Sequence, residues 1–209
     1  MQSALLLLTG LFLGMRHAFD RDHVAAVTHF ISLEPDPLKS AWFGFRWAVG
    51  HAIMVLSLGS LVILLKLKFD PAFERYAELA VGVSLIVLGV WRLALLIQDH
   101  RHPHSHEAPR PHVHHFAPTL VGMVHGASGT AEVFVLLPIT LMASKGLAYL
   151  YIGLFSAGCA ITMSTYGYWA GRFYRRASEQ GQRLYHLLVM LTSAAGILLG
   201  LIWILGNLR

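Results

Sequence analysis

The sequence predicts an all-α, polytopic membrane protein with about six transmembrane helices. Of its 209 residues, 56% are hydrophobic and only 13% are charged, about half of the charged fraction that is usual in soluble domains. The apolar residues also form long runs, each close to the roughly 20 residues that a helix needs to cross the hydrocarbon core of a bilayer. We therefore expect residues 1–209 to form a single transmembrane domain.

The apolar runs place the six predicted spans in chain order. They are residues 3–33, 41–65, 76–97, 118–142, 147–169 and 184–205. Prolines in residues 34–37 and 68–73 mark two breaks between them, because proline ends a helix and restricts the residue before it. At about 1.5 Å per residue the first span would be roughly 46 Å long, against a hydrocarbon core near 30 Å. It is predicted to tilt, bend or protrude, with Gly10 and Gly14 as the candidate bend points.

Basic residues predict how the chain is oriented. The loops after the first, third and fifth spans carry seven lysines and arginines, including a dense cluster at 172–176, and the remaining loops with the C-terminus carry five. The positive-inside rule then places the odd-numbered loops in the cytoplasm and both termini outside the cytoplasmic (inner) membrane. The net charge of +5 and the pI of about 9.6 are assigned to contact with anionic membrane lipid, and no nucleic-acid partner is expected.

An ionisable cluster interrupts the first apolar span. Residues 17–23 read HAFDRDH, and ionisable groups within a span usually face a bundle interior or a wet cavity. Histidine and carboxylate together are ligands for divalent transition metals. On a straight helix His17, Asp20 and His23 share one face, whereas Asp22 points about 140° away from His17. Asp22 then joins a metal site only if the helix is distorted; otherwise it pairs with a nearby arginine, and the stretch is an amphipathic end held by salt bridges.

Two further spans carry candidate ligands. His51 follows Gly50 in the second span, and His125 and Glu132 lie two turns apart on one polar stripe of the fourth span. A lone histidine can simply bond a neighbouring helix, and small residues can be a packing face. At 1.5 Å per residue the histidines of these three spans lie roughly 10 to 24 Å from the predicted cytoplasmic ends. These depths are compatible with one intramembrane metal cluster.

The loop between the third and fourth spans, residues 99–117, is rich in histidine. Prolines and charges predict a flexible segment, and imidazoles on a flexible chain offer many weak sites for transition-metal capture. A solvated linker and a coarse pH sensor are the alternatives. The histidines concerned are His100, His102, His104, His106, His112, His114 and His115.

Cys159 is the only cysteine, so a disulfide within the chain and a thiolate metal cluster are excluded. No Gly-rich phosphate-binding loop occurs in the sequence. We therefore expect no ATP hydrolysis by this chain and no enzymatic activity.

The stretch RHAFDRDHVAAV, residues 16–27, resembles the signature of the nickel/cobalt transporter (NiCoT) family. The family hallmark H-x4-D-H falls on His17, Asp22 and His23. WAVGHAIMV, residues 47–55, is similar to a second family motif, in which a Gly-His pair lies within a span. That pair falls on Gly50 and His51.

Two other stretches are looser likenesses. Residues 122–134 resemble a motif ending in Thr-Ala-Thr-Glu, with Glu132 in place, and residues 158–171 lack the aspartates that members often show there. The chain also departs from the family in having Arg21 and His29, and it is expected to lack the helix that precedes the signature in typical members. In its short length the chain resembles members of the urease-linked permease branch of the family.

The resemblance implies a secondary transporter (permease) that takes up Ni2+ or Co2+, with no permanent cofactor. His17, Asp22, His23 and His51 would bind the ion, with Asp20, His125 and Glu132 as secondary ligands. A urease or hydrogenase maturation system is an expected partner. The alternatives are an efflux permease with the same site, a non-transporting accessory protein that delivers metal, and a membrane cytochrome that uses histidines as haem ligands.

Overall fold

The computed structural model describes residues 2–66, 70–101, 116–128, 135, 137–142 and 144–207. These ranges are helical and contain no strand, which confirms the predicted all-α fold. The helices, in chain order, are α1 (Gln2–His17), α2 (Arg21–Ile31), α3 (Pro37–Leu65), α4 (Pro71–Arg101), α5 (Ala117–Gly126), α6 (Leu137–Thr140), α7 (Lys145–Gln180) and α8 (Gln182–Asn207).

Four helices of the described chain, α3, α4, α7 and α8, are long and apolar enough to cross a membrane. The predicted count of about six spans is therefore not confirmed. The first predicted span is divided into α1 and α2, and the fourth contains α5 and α6, with residues 129–134 and 136 outside the described chain. The other four predicted spans each correspond to one long helix.

The break predicted at residues 34–37 is present and has a local cause. Asp36 caps α3, because its carboxylate accepts hydrogen bonds from the backbone N–H groups of Leu38 and Lys39, both at 3.0 Å. Pro37 occupies the first turn of the helix, where its missing N–H leaves no hydrogen bond unmade. The helix ends at Leu65, and the C-cap residue Lys66 has a φ of 53°, in the left-handed region.

The short helix α2 lies at the centre of the bundle. It contacts α3, α4, α5, α7 and α8, and these helices in turn pack against one another around it. The helix α1 packs against α7. Eight of the eleven residues of α2 are buried, including Asp22, His23 and His29. The candidate site therefore lies on a central helix that buries several ionisable groups within an apolar bundle.

The outer surface of the bundle is apolar. Large side chains such as Val83, Val87, Leu198 and Ile202 are more than half exposed on α4 and α8. In water an apolar surface of this extent would be a site of association, whereas in a bilayer it contacts lipid tails. Together with the four long apolar helices, this surface identifies the chain as a membrane protein.

Glycines bring α3 and α5 into backbone contact. A Cβ atom on Gly50 or on Gly122 would overlap a backbone carbonyl of the opposite helix, so only glycine permits this separation. His51 follows Gly50, and His125 lies three residues after Gly122 on the facing helix. The close approach of the two backbones therefore brings two candidate ligands to the same depth.

Candidate metal centre

A break between α1 and α2 shapes the centre. The helix α1 ends at His17 and α2 begins at Arg21, and the backbone N–H of Asp20 donates to the His17 carbonyl at 2.9 Å. Asp20 precedes α2 in an extended conformation, with φ −60° and ψ 143°. The chain thus changes direction between the two histidines of the signature. The helix is therefore distorted between His17 and Arg21, which is the condition under which Asp22 can join the site.

Three histidines from three helices meet at this break. His17, His23 and His51 each offer a ring nitrogen, and these nitrogens all lie within 4.8 Å of one another. Each residue is no more than 1% exposed. The Nε2 atoms of His17 and His51 are 3.2 Å apart. An ion bound at about 2.1 Å to both would subtend an angle of about 100°, which fits between square-planar and tetrahedral coordination.

Hydrogen bonds select the tautomers of two of these rings. His17 Nδ1 lies 2.9 Å from a carboxylate oxygen of Asp20, and a carboxylate only accepts, so Nδ1 carries the proton. His23 Nδ1 donates to the His17 carbonyl at 3.2 Å. In a neutral ring the other nitrogen then has a free lone pair. Both Nε2 atoms are therefore available as metal ligands, each oriented by the bond on the far side of its ring.

His125 extends the cluster from α5. It is 0% exposed, its ring centroid lies 5.8 Å from that of His23, and its Nδ1 donates to the Val121 carbonyl at 2.9 Å. Within the described chain, His125 Nε2, His23 Nε2 and His51 Nδ1 are buried without a hydrogen-bond partner. Buried polar atoms are normally paired, because leaving one unpaired costs free energy. Several such nitrogens in one place indicate a site for a bound ion.

The two aspartates take different positions. Asp22 is 5% exposed, and its carboxylate lies 3.4 Å from His23 Nε2, on the ligand side of that ring. The Asp20 side chain is 30% exposed and contacts the opposite nitrogen of His17. The straight-helix expectation, which put Asp20 on the ligand face and Asp22 away from it, is thus reversed by the break in the helix.

The sequence analysis did not predict that two aromatic rings, those of Trp47 and Phe155, lie beside the histidine cluster. The Trp47 ring lies 4.7 Å from the His23 ring and 5.3 Å from the His51 ring between centroids, and Phe155 of α7 lies 5.2 Å from His17. Trp47 precedes His51 by four residues, a spacing that places both on one helix face and was a usable signal. Phe155 gave no such signal, because it comes from a distant helix.

Some predicted ligands lie outside the described residues. These are Glu132 and the loop histidines His102, His104, His106, His112, His114 and His115. His100 lies in the last turn of α4, but its side chain is not among those described.

We expect Asp20→Asn to lower the affinity for nickel by about 10- to 100-fold, the range seen when a partner of a ligating histidine is lost. An amide can present its NH2 group to His17 Nδ1 and favour the wrong tautomer. Isothermal titration of the purified chain with Ni2+ measures the effect. Asp36→Asn, at the cap of α3, is the control and should bind nickel normally. Unchanged affinity in Asp20→Asn would show that this carboxylate does not orient His17.

Comparison with known proteins adds relatives of stated function. The chain is 30% identical to the urease accessory protein UreH of Bacillus sp. (strain TB-90), over 77% of this chain and 74% of that protein. It is 33% identical to the nickel transporter NixA of Staphylococcus aureus (strain NCTC 8325 / PS 47), over 41% of this chain and 28% of that one.

Chloroplast protein FOR GROWTH AND FERTILITY 2 of Arabidopsis thaliana is 27% identical over 92% of this chain, which spans 54% of that protein's length. No family model and no solved structure matches. The likeness to UreH covers about three quarters of both proteins. On that likeness, and with the weaker one to NixA, the chain belongs to the family of urease accessory protein UreH, which is related to the nickel/cobalt transporters.

Proposed function

We propose that this protein is a secondary transporter (permease) that takes up Ni2+ or Co2+ across the cytoplasmic membrane. The observation that carries the proposal is the buried cluster of His17, His23 and His51 at the break between α1 and α2. Three ligand nitrogens from separate helices have little structural purpose in an apolar bundle. Their shared purpose is to replace the water shell of a divalent ion.

The depth of the cluster supports transport rather than surface binding. The eleven residues of α2 span about 16 Å, so the cluster lies about half a hydrocarbon thickness from the turn between α2 and α3. Interrupted helices at membrane depth are tolerated where they line a cavity, and transporter sites are built from them. In this proposal α1 with α2, and α5 with α6, complete the six crossings as broken units.

The ligand chemistry favours nickel or cobalt over Mg2+ and Ca2+. Imidazole suits transition metals, whereas the hard cations prefer sites made of oxygen atoms. Asp22 adds one negative charge beside His23 and offsets part of the charge of the bound ion. His125, and by the family resemblance Glu132, are proposed as further ligands along the path.

The orientation and the partners belong to the same proposal. The odd-numbered loops face the cytoplasm, and the histidines of residues 99–117 receive or buffer the ion there. Urease is the named process of the UreH relative. A urease or hydrogenase maturation system is therefore the proposed recipient of the metal, and no resident cofactor or catalytic residue is proposed.

Uptake of radiolabelled Ni2+ by cells that express the chain tests this function. We expect accumulation above cells with an empty vector, and accumulation at the empty-vector level for His23→Ala at equal amounts of membrane protein. His186→Ala, a substitution in α8 away from the cluster, serves as the control. Undiminished uptake in His23→Ala would contradict the proposed site.

Two other functions would use the same residues. A metal-delivery accessory role is favoured by the printed name of UreH, and an efflux permease would carry the ion outwards through the same cluster. Measuring the growth of cells at toxic nickel concentrations distinguishes these two functions from uptake. An importer makes cells more sensitive, an exporter protects them, and an accessory protein without transport changes neither growth nor uptake.

A further inference from the structure

A buried arginine holds the C-terminal end of α2. Arg92 of α4 is 4% exposed. Its Nε donates to Ser32 Oγ at 2.9 Å, and its Nη2 donates to the Ser32 carbonyl at 2.8 Å and to the Tyr185 hydroxyl at 3.0 Å. Tyr185 of α8 donates to the same carbonyl at 2.5 Å. Two neighbouring helices thus bind one peptide group, immediately after the last residue of α2.

The chemistry of this contact makes it depend on the position of α2. The C-terminus of a helix has unpaired carbonyls and a partial negative charge, which a cation stabilises. Within the described chain, the acceptors that Arg92 reaches are neutral oxygens, and these hydrogen bonds stabilise the buried guanidinium. If α2 moved away, Arg92 would lose two of these bonds at once. The hydrogen bonds between Arg92 and Ser32 therefore form or break together, which gives two states, one with the contact made and one with it broken.

The space between the metal centre and this contact is filled. Val27 and Ile31, on α2 between His23 and Ser32, are 0% exposed. They belong to a buried apolar cluster that also contains Cys159 of α7, at 1% exposure. Among the described residues, this apolar cluster packs against α2 between the histidines and the turn that joins α2 to α3. In this position of α2 the site is closed on that side.

One close contact between α2 and α8 depends on this position of α2. The ring of His29 lies against Gly196 of α8, where a Cβ would come within 2.9 Å of His29 Nε2. That nitrogen is buried and has no hydrogen-bond partner among the described residues. The ring therefore marks a tight contact between α2 and α8, and a displacement of α2 would change it.

We propose that Arg92 and Tyr185 form a latch that holds α2 closed over the metal centre, and that its opening connects the centre to the α2–α3 side. The role of this opening in ion release rests on the proposed transport function. The latch itself consists of groups that do not bind the ion.

The thiol of Cys159 is the reporter for the test. It is the only cysteine of the chain and lies in the buried apolar cluster that also contains Val27 and Ile31 of α2. The purified full chain in detergent is treated with a charged, water-soluble methanethiosulfonate reagent. We expect labelling of Cys159 to accelerate at least tenfold in Arg92→Gln and in Tyr185→Phe. Cys159→Ala sets the background, and Arg175→Gln, which breaks an exposed ion pair with Glu179, is the matched control.

Two further measurements make the result specific. The melting temperature and the Ni2+ affinity of Tyr185→Phe, which lacks only one hydroxyl, should match those of Arg175→Gln, because an opening confined to the C-terminal end of α2 leaves His23, near its N-terminal end, in place. Slow labelling in Tyr185→Phe overturns the latch, as does fast labelling with loss of the melting transition. If Arg92→Gln does not fold, Tyr185→Phe decides alone. Failure of the unmodified chain to bind Ni2+ would refute the proposed function, whereas the labelling rates would still test the latch.

Discussion

Replacing His51 by alanine is expected to lower the affinity of the purified chain for Ni2+ by at least about 100-fold. His51 comes from a different helix than His17 and His23, and its Nε2 lies 3.2 Å from that of His17. Removing it takes away a ligand and leaves the other two on one segment of chain. The loss should exceed the 10- to 100-fold cost of removing a partner of a ligand. Isothermal titration with Ni2+, and separately with Co2+, measures it.

His29→Ala is the matched control for this experiment. His29 is also a buried histidine of the bundle, and its Nδ1 donates to the Ala25 carbonyl at 2.6 Å, as the Nδ1 atoms of His23 and His125 do to other backbone carbonyls. It is not a member of the ligand cluster. We expect His29→Ala to bind Ni2+ like the unmodified chain. Equal affinities of His51→Ala and His29→Ala would refute the centre, since burial alone would then explain both histidines.

Replacing Gly122 by leucine is expected to destabilise the protein by about 3 kcal/mol, the upper end of the usual cost of overpacking. A Cβ at this position overlaps the Trp47 carbonyl of α3, and a backbone atom cannot move aside as a flexible side chain can. The helices α3 and α5 would separate, which would withdraw His125 from His51. We therefore expect a loss of Ni2+ affinity as well as a lower melting temperature.

Gly153→Leu provides the control for the added volume and the added hydrophobicity. A Cβ at Gly153 of α7 meets no atom within 4 Å, so leucine there projects away from the bundle. We expect its melting temperature to equal or exceed that of the unmodified chain, because leucine also favours a helix over glycine. If Gly122→Leu melted and bound Ni2+ like Gly153→Leu, the close contact of α3 and α5 would not be required.

The candidate ligands could be predicted from the sequence because ionisable residues are rare within membrane-spanning segments. His17, His23, His51 and His125 are ionisable groups within apolar runs, where their burial needs a reason. Counting residues from the loops placed them at similar depths. In the structure the side chains of His17, His23 and His51 lie together, and His125 lies beside His23.

The roles of the two aspartates could not be predicted in the same way. On a regular helix Asp20 faces the ligands and Asp22 does not, and the structure has the opposite arrangement. Helical periodicity holds only while the helix continues, and the break at residues 18–20 rotates everything after it. The resemblance to the nickel/cobalt transporter signature indicated Asp22, but the sequence alone did not show the geometry that makes it a neighbour of His23.

By itself, the sequence determined that this protein is helical and lies in a membrane, that its chain turns at Pro37, and that its buried histidines are candidate ligands. Each of these follows from local composition or spacing. Only the tertiary structure decided that α2 is central, that α3 and α5 touch through glycines, and that Arg92 and Tyr185 hold Ser32. In a bilayer an apolar helix face can meet lipid or another helix at similar cost, so hydrophobic pattern does not choose its neighbours. Small residues and polar contacts choose them, and these act only between helices that are already side by side.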